Sequence, residues 1–185
     1  MRPRNRVCTA ALAGLAVLLA EHPSQAEPQV HRPVTAQAVM AQVQQKGPSA
    51  ALALLFESPQ WEPILDGVAG GGEGWLRVAE ALRPVSDAAS AEDLDNAISE
   101  ALGPNALGVL RLVRNKVMPA EDACSRYGFM TQTRAATKVK MQRFVARRRQ
   151  AVVAVSDPDV AKPKAECLAA LDDAERRIDN ELGGP

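Results

Sequence analysis

The chain is poor in the side chains on which most catalytic and nucleic-acid-binding sites depend. Only 3% of its 185 residues are aromatic, which is few for a sugar-binding groove or for a surface that stacks bases. Histidine occurs twice and cysteine three times. These shortages argue against nucleic acid as a ligand and against the common histidine-dependent reactions.

Apolar residues are plentiful and charges are balanced. Hydrophobic residues make up 46% of the chain and charged residues 24%, and the formal net charge is zero. This composition is typical of a folded protein and unlike that of a disordered one. The length predicts one domain, or one domain with an appendage.

Residues 1–26 have the pattern of a cleaved secretory signal peptide. Arginines in the first six residues precede an apolar stretch at 7–20, and the small residues Ser24 and Ala26 suit the cleavage site. The apolar stretch is shorter than the roughly 20 residues that span a bilayer, which argues against a membrane anchor. We therefore expect a periplasmic or secreted protein with no membrane span after cleavage.

Cleavage would remove Cys8 and leave Cys124 and Cys167. Two cysteines in an oxidising compartment most simply pair with each other, so the sequence predicts a Cys124–Cys167 disulfide. The alternatives are a catalytic thiol, which needs a base, and a zinc site, which needs about four ligands. The only histidine left after cleavage is His31, in a proline-containing tail, so we expect no metal, no cofactor and no catalytic residue.

Short helical patterns fill the first part of the mature chain. A flexible tail is expected at 27–34, followed by an array of short helices over 35–114. Ser90 with Asp93 resembles a capping box for one of them. Helix starts are predicted near positions 35, 48, 60, 73, 91 and 104. Helices this short must bury their apolar faces on one another.

The sequence pattern over 115–185 predicts a helical hairpin that the disulfide links. An irregular segment at 115–132 carries Cys124, and its end, 126–133, is the only marginal strand candidate. A long helix is expected over 133–155, and a final helix runs from a cap at Asp157 to Leu182. The long helix has a second apolar face, formed by Ala135, Val139, Ala146 and Val153, which predicts that it is sandwiched between partners. The expected fold is all-α: short antiparallel helical hairpins, solenoid-like, followed by the disulfide-stapled long hairpin and packed with it as one domain.

Large apolar side chains and one glycine-rich run have structural interpretations. The aromatic residues expected in the core are Phe56, Trp61, Trp75 and Phe144. The run at 67–74 is expected to end a helix and link it to the next, with a hinge or an anion-binding nest as the alternative.

Charge is distributed unevenly along the mature chain. The net charge is −7 over 27–110, +9 over 111–149 and −4 over 150–185. The candidate interaction residues are Lys140, Arg143, Arg147, Arg148 and Arg149. Either they bind an anionic partner, such as an acidic protein or an anionic envelope component, or the acidic flanking helices neutralise them within the protein.

Paired carboxylates are the one catalytic arrangement left to consider. Asp93 lies next but one to Asp95, and Glu57 and Glu62 flank Trp61. Acidic residues near helix starts more often cap the helix or interact with its dipole. We therefore expect no enzyme activity, although a carboxylate-dependent hydrolase stays open as a third hypothesis.

A pattern of tryptophan, glycine, leucine and cysteine positions resembles that of small exported bacterial proteins of unassigned function. The pattern lies in segments 61–67, 74–79 and 82–88 and continues at Cys124 and Cys167. The resemblance implies an all-helical exported fold. It implies no activity, and no functional residue carries over from it.

Two binding hypotheses follow. The first is a non-catalytic binding module of the cell envelope, such as an inhibitor, an immunity-type protein or an assembly accessory. The second is a structural, self-associating envelope protein in which Trp61 and Trp75 complete a homo-oligomeric core.

Overall fold

A computed structural model describes residues 33–126 and 134–182, with side chains from residue 137 onward in the second range, and these residues are almost entirely helical. They form nine α-helices, two 3-10 turns and no strand. The α-helices are α1 (Ala36–Lys46), α2 (Pro48–Phe56), α3 (Trp61–Ala69), α4 (Glu73–Leu82), α5 (Ala88–Ala101), α6 (Ala106–Arg114), α7 (Ala120–Ser125), α8 (Arg134–Val153) and α9 (Ala161–Leu182). The prediction of an all-α fold is confirmed. The signal peptide predicted at 1–26 and nearly all of the tail and of the marginal strand lie outside the described residues.

Local capping explains where the short helices begin. The Thr35 side chain accepts a hydrogen bond from the Ala38 amide at 3.2 Å and opens α1. The predicted capping box of Ser90 with Asp93 is wrong, because α5 already begins at Ala88. The Ser90 hydroxyl instead turns back to Asp87, accepting from its amide at 3.1 Å and donating to its carboxylate at 2.8 Å.

The described helices bury two adjoining apolar clusters. One is formed by residues of α1 to α5 and includes Trp61, Ile64 and Leu94, and the other is formed by residues of α3 to α9. Leu65 and Trp75 pack against both clusters and so join them. The described helices therefore belong to one compact unit.

The glycine-rich run forms the tight turn between α3 and α4. Gly71 has φ +72°, a conformation that glycine adopts without strain. Its carbonyl accepts a hydrogen bond from Asn105 Nδ2 at 2.8 Å, while Asn105 Oδ1 caps α6 by accepting from the Gly108 amide at 2.9 Å. One asparagine thus attaches this turn to the start of α6.

Replacing Gly67 with alanine is expected to destabilise the protein by about 1–3 kcal/mol, because the added Cβ would overlap the Trp75 indole ring. Urea unfolding measures the loss. Gly70→Ala is the matched control, since a Cβ there meets the Asp66 carbonyl oxygen at 3.4 Å, an ordinary contact. Equal stability of the two variants would show that α3 and α4 do not require this close approach.

The C-terminal helices form the predicted stapled hairpin. Cys124 on α7 and Cys167 on α9 are joined by a disulfide and are both fully buried, which confirms the predicted pairing. The expectation that Cys124 lies in an irregular segment is wrong, because α7 carries it. Six residues are too few to show helical periodicity, although Pro119 and the acidic first turn after it are helix-start signals.

The prediction that α8 is sandwiched on two apolar sides is also wrong for the described residues. Val139 and Val153 on its second face are 49% and 56% exposed. The buried face is instead the one bearing Met141, Val145 and Val152. α9 packs beside this buried face. The second apolar face therefore points away from the core.

Candidate functional site

One side of α8 is electrically neutralised by α9. Lys138 Nζ lies 3.2 Å from Asp179 Oδ1. Arg149 Nη2 lies 2.6 Å from Asp172 Oδ1 and 3.0 Å from Glu175 Oε2. Hydrogen bonding to Asp172, helped by Glu175, raises the pKa of Arg149 above its ordinary value. Arg149 therefore belongs to the contact between the two long helices.

The other side of α8 carries three exposed cations, Lys140, Arg143 and Arg147, which we call the cationic stripe. None of the three lies within ion-pair distance of an acidic side chain in the described ranges 33–126 and 134–182. Their i, i+3, i+7 spacing confines them to about 10 Å of helix length, at 1.5 Å per residue. The stripe therefore concentrates positive charge on one solvent-facing surface.

Arg148 points towards the core instead and is only 4% exposed. Its Nη1 donates to Ser99 Oγ at 2.8 Å and to the carbonyls of Cys124 and Arg126, both at 3.1 Å. Its guanidinium lies 4.0 Å from the centre of the Phe144 ring, a cation–π distance. Burial lowers its pKa to about 10, so the side chain keeps its charge at neutral pH. Arg148 thus ties α8 to α5 and to the end of α7.

Two features of the sequence point in opposite directions for Arg148. Three consecutive arginines are typical of a surface segment, which favours grouping Arg148 with its neighbours. Its spacing from Met141, Val145 and Val152, however, places it on the buried face of the helix. That spacing was the signal that could have separated it from Arg147 and Arg149.

A pocket of about 380 Å³ adjoins the cationic stripe, where the end of α5 meets α8. Sequence reasoning missed this pocket, because its walls come from segments more than 40 positions apart. The residues that line it are Glu100, Gly103, Phe144, Arg147 and Arg148. It therefore combines two guanidinium groups, one aromatic ring and one carboxylate.

Two of the four carboxylates considered as catalytic candidates, Asp93 and Asp95, have structural partners. Asp93 accepts a hydrogen bond from Trp61 Nε1 at 2.9 Å. Asp95 is buried and accepts two hydrogen bonds from the Arg83 guanidinium, at 2.5 and 3.0 Å. Arg126 Nη2 lies 3.6 Å from Asp95 Oδ2. The hydrogen bond to Asp95 raises the pKa of Arg83. The other two candidates, Glu57 and Glu62, are exposed on the surface.

The predicted core aromatics differ in burial. Trp61 is 5% exposed and meets Phe56 edge to face, with ring centres 5.5 Å apart. Phe56, Trp75 and Phe144 are half-buried and pack against the two apolar clusters. Burial of Trp61 makes it a part of the core rather than a surface anchor.

Comparisons with known proteins identify no relative of this chain. The chain matches no known protein family, no curated protein and no solved structure. The resemblance to small exported bacterial proteins therefore stays a prediction. Within the part of the chain that the structure describes, no group of three or more metal-ligating side chains is placed to hold an ion, and no helix is long and apolar enough to cross a membrane.

Proposed function

We propose that this protein is an exported, non-catalytic binding module that contacts an acidic protein through the cationic stripe. The observation that carries the proposal is the division of charge on α8. Lys138 and Arg149 pair with α9, whereas Lys140, Arg143 and Arg147 face solvent with no ion-pair partner among the described residues. Ion pairs with α9 thus neutralise the cations on one side of α8, whereas the cations on the other side are available to bind a partner.

The size of the stripe favours an acidic protein over an anionic surface. Binding to an anionic membrane surface typically uses clusters of four to eight lysines and arginines. Three cations within one helical face suit a local patch of carboxylates instead. Export is supported by the Cys124–Cys167 disulfide, since such bonds persist in oxidising compartments, and by the signal pattern at 1–26. A periplasmic or secreted location is part of the proposal.

Charge reversal of the stripe is expected to abolish capture of a partner from envelope extract. The test variant is K140E/R143E/R147E, and the matched control is K46E/R77E/K116E. The control changes the net charge equally and replaces three exposed cations outside α8 that also lack ion-pair partners within the described ranges. Crosslinking followed by mass spectrometry identifies the captured protein. Capture that survives in the test variant, or that is lost equally in the control, would contradict the proposal.

Self-association is a second candidate, favoured by the exposure of Val139 and Val153 on α8. Such a homo-oligomer would bury this second apolar face, with Ala146 between the two valines. Sedimentation at micromolar concentration distinguishes the two candidate functions, because we expect the binding module to be a monomer in the absence of its partner. A concentration-dependent dimer that V139E/V153E dissociates would support self-association.

A further inference from the structure

We propose that the pocket between α5 and α8 binds one carboxylate of the acidic partner, with Arg147 and Arg148 as the two cations that hold it. The inference deepens the proposed function and rests on it. It adds a specific anchor to a surface that would otherwise attract its partner by charge alone.

Arg148 is the reason to treat the pocket as a built site. The side chain is nearly buried, and its three hydrogen bonds to described residues all leave from Nη1. The donors on Nε and Nη2 take no part in those bonds, although Arg148 lines the pocket. A guanidinium fixed on one side can therefore present donors on another, with little conformational entropy left to lose.

The other walls of the pocket suit the carbon chain of an acidic side chain. The Phe144 ring stacks against the Arg148 guanidinium and offers an apolar surface for methylene groups. Gly103 lines the pocket with backbone alone, because it lacks a side chain. A glutamate or aspartate side chain combines the charge and the short apolar stem that these walls match.

The charge of the pocket favours a carboxylate over a phosphate. Arg147 and Arg148 contribute two positive charges and Glu100 one negative charge, so the lining has a net charge of +1. A singly charged carboxylate balances that charge, whereas a phosphate dianion would leave repulsion with Glu100. Lys140 and Arg143 lie outside the pocket on the same helix and can meet further acidic residues of the partner.

The test is an NMR titration of the labelled full-length protein with a hexaglutamate peptide and, separately, with sodium acetate. We expect saturable shifts at the Gly103 amide and the Arg148 Nε–H with both probes. The peptide is expected to bind at least tenfold more tightly than acetate, because it also reaches the rest of the stripe. R147Q should weaken acetate binding at least threefold, while the exposed control R77Q should leave it unchanged.

Removing the negative charge that Glu100 contributes to the pocket gives a second, independent measurement. Glu100→Gln is expected to tighten acetate binding about three- to tenfold, and to strengthen binding of inorganic phosphate at least as much. Glu92→Gln is the matched control, since it removes an exposed carboxylate on the same helix about 12 Å away along the axis, at 1.5 Å per residue. Equal effects of the two substitutions would overturn the assignment of the pocket.

The outcomes separate this inference from the proposed function. Peptide binding that K140E/R143E/R147E abolishes, but that never shifts Gly103 or Arg148, would leave the stripe as a binding surface and reject the pocket. Acetate binding as tight as peptide binding would reject the acidic protein as the source of the carboxylate. Absence of any saturable binding by either probe would count against both proposals.

Discussion

Replacing Cys124 and Cys167 together with alanine is expected to lower the free energy of unfolding by about 4 kcal/mol. The disulfide closes a loop with a sequence separation of 43, and the chain-entropy account assigns a stabilisation of about that size to such a loop. For a chain of this length the loss corresponds to a fall in melting temperature of roughly 8–16 °C. Thermal unfolding followed by circular dichroism measures it.

Chemical reduction supplies the control for the cysteine variant. A reductant should destabilise the wild-type protein by a similar amount, once the buried bond has been opened by transient unfolding, and should leave the double variant unchanged. If reduction and substitution both leave the melting temperature unaltered, the disulfide does not stabilise the packing of α7 on α9. A loss of stability in the double variant alone would point to the alanine side chains rather than to the bond.

Arg148→Met is expected to cost about 3 kcal/mol of stability. The substitution keeps the length and apolar stem of the side chain but removes the donor shared by Ser99 Oγ and the carbonyls of Cys124 and Arg126. A buried acceptor left without a donor costs about 1–3 kcal/mol, and part of that cost is recovered because a buried charge is removed as well. Urea unfolding gives the difference.

Arg147→Met is the matched control for this prediction. It makes the same chemical change one residue earlier, at an exposed position, where we expect an effect within about 0.5 kcal/mol. Arg148→Lys should fall between the two, because an ammonium keeps the charge but not the geometry of the guanidinium. Equal stability of R147M and R148M would mean that the hydrogen bonds of Arg148 do not attach α8 to α5 and α7.

The helices whose apolar residues recur at helical spacing could be predicted from the sequence. Trp61, Ile64 and Val68 form one face of α3, and all three are buried. The pairing of Cys124 with Cys167 could be predicted by elimination, since the predicted cleavage would leave no other cysteine in the chain. Both inferences depend on local pattern and chemistry, which the sequence carries directly.

The details that depend on contacts between distant residues could not be predicted in the same way. Asp93 resembled a capping residue, but it accepts a hydrogen bond from Trp61, 32 positions earlier in the chain. The neighbours Arg147, Arg148 and Arg149 look alike in the sequence, yet they face solvent, the core and α9 respectively. A helix turns about 100° per residue, so three adjacent identical side chains meet three different environments.

The most direct test of the central claim is the affinity of the captured partner for three proteins: wild type, K140E/R143E/R147E and K46E/R77E/K116E. We predict that the stripe variant binds at least 100-fold more weakly than wild type and that the control binds within about threefold of it. Wild-type affinity should also fall as the salt concentration rises, because exposed charges are screened. Equal affinity of all three proteins would contradict the assignment of the cationic stripe as the binding surface.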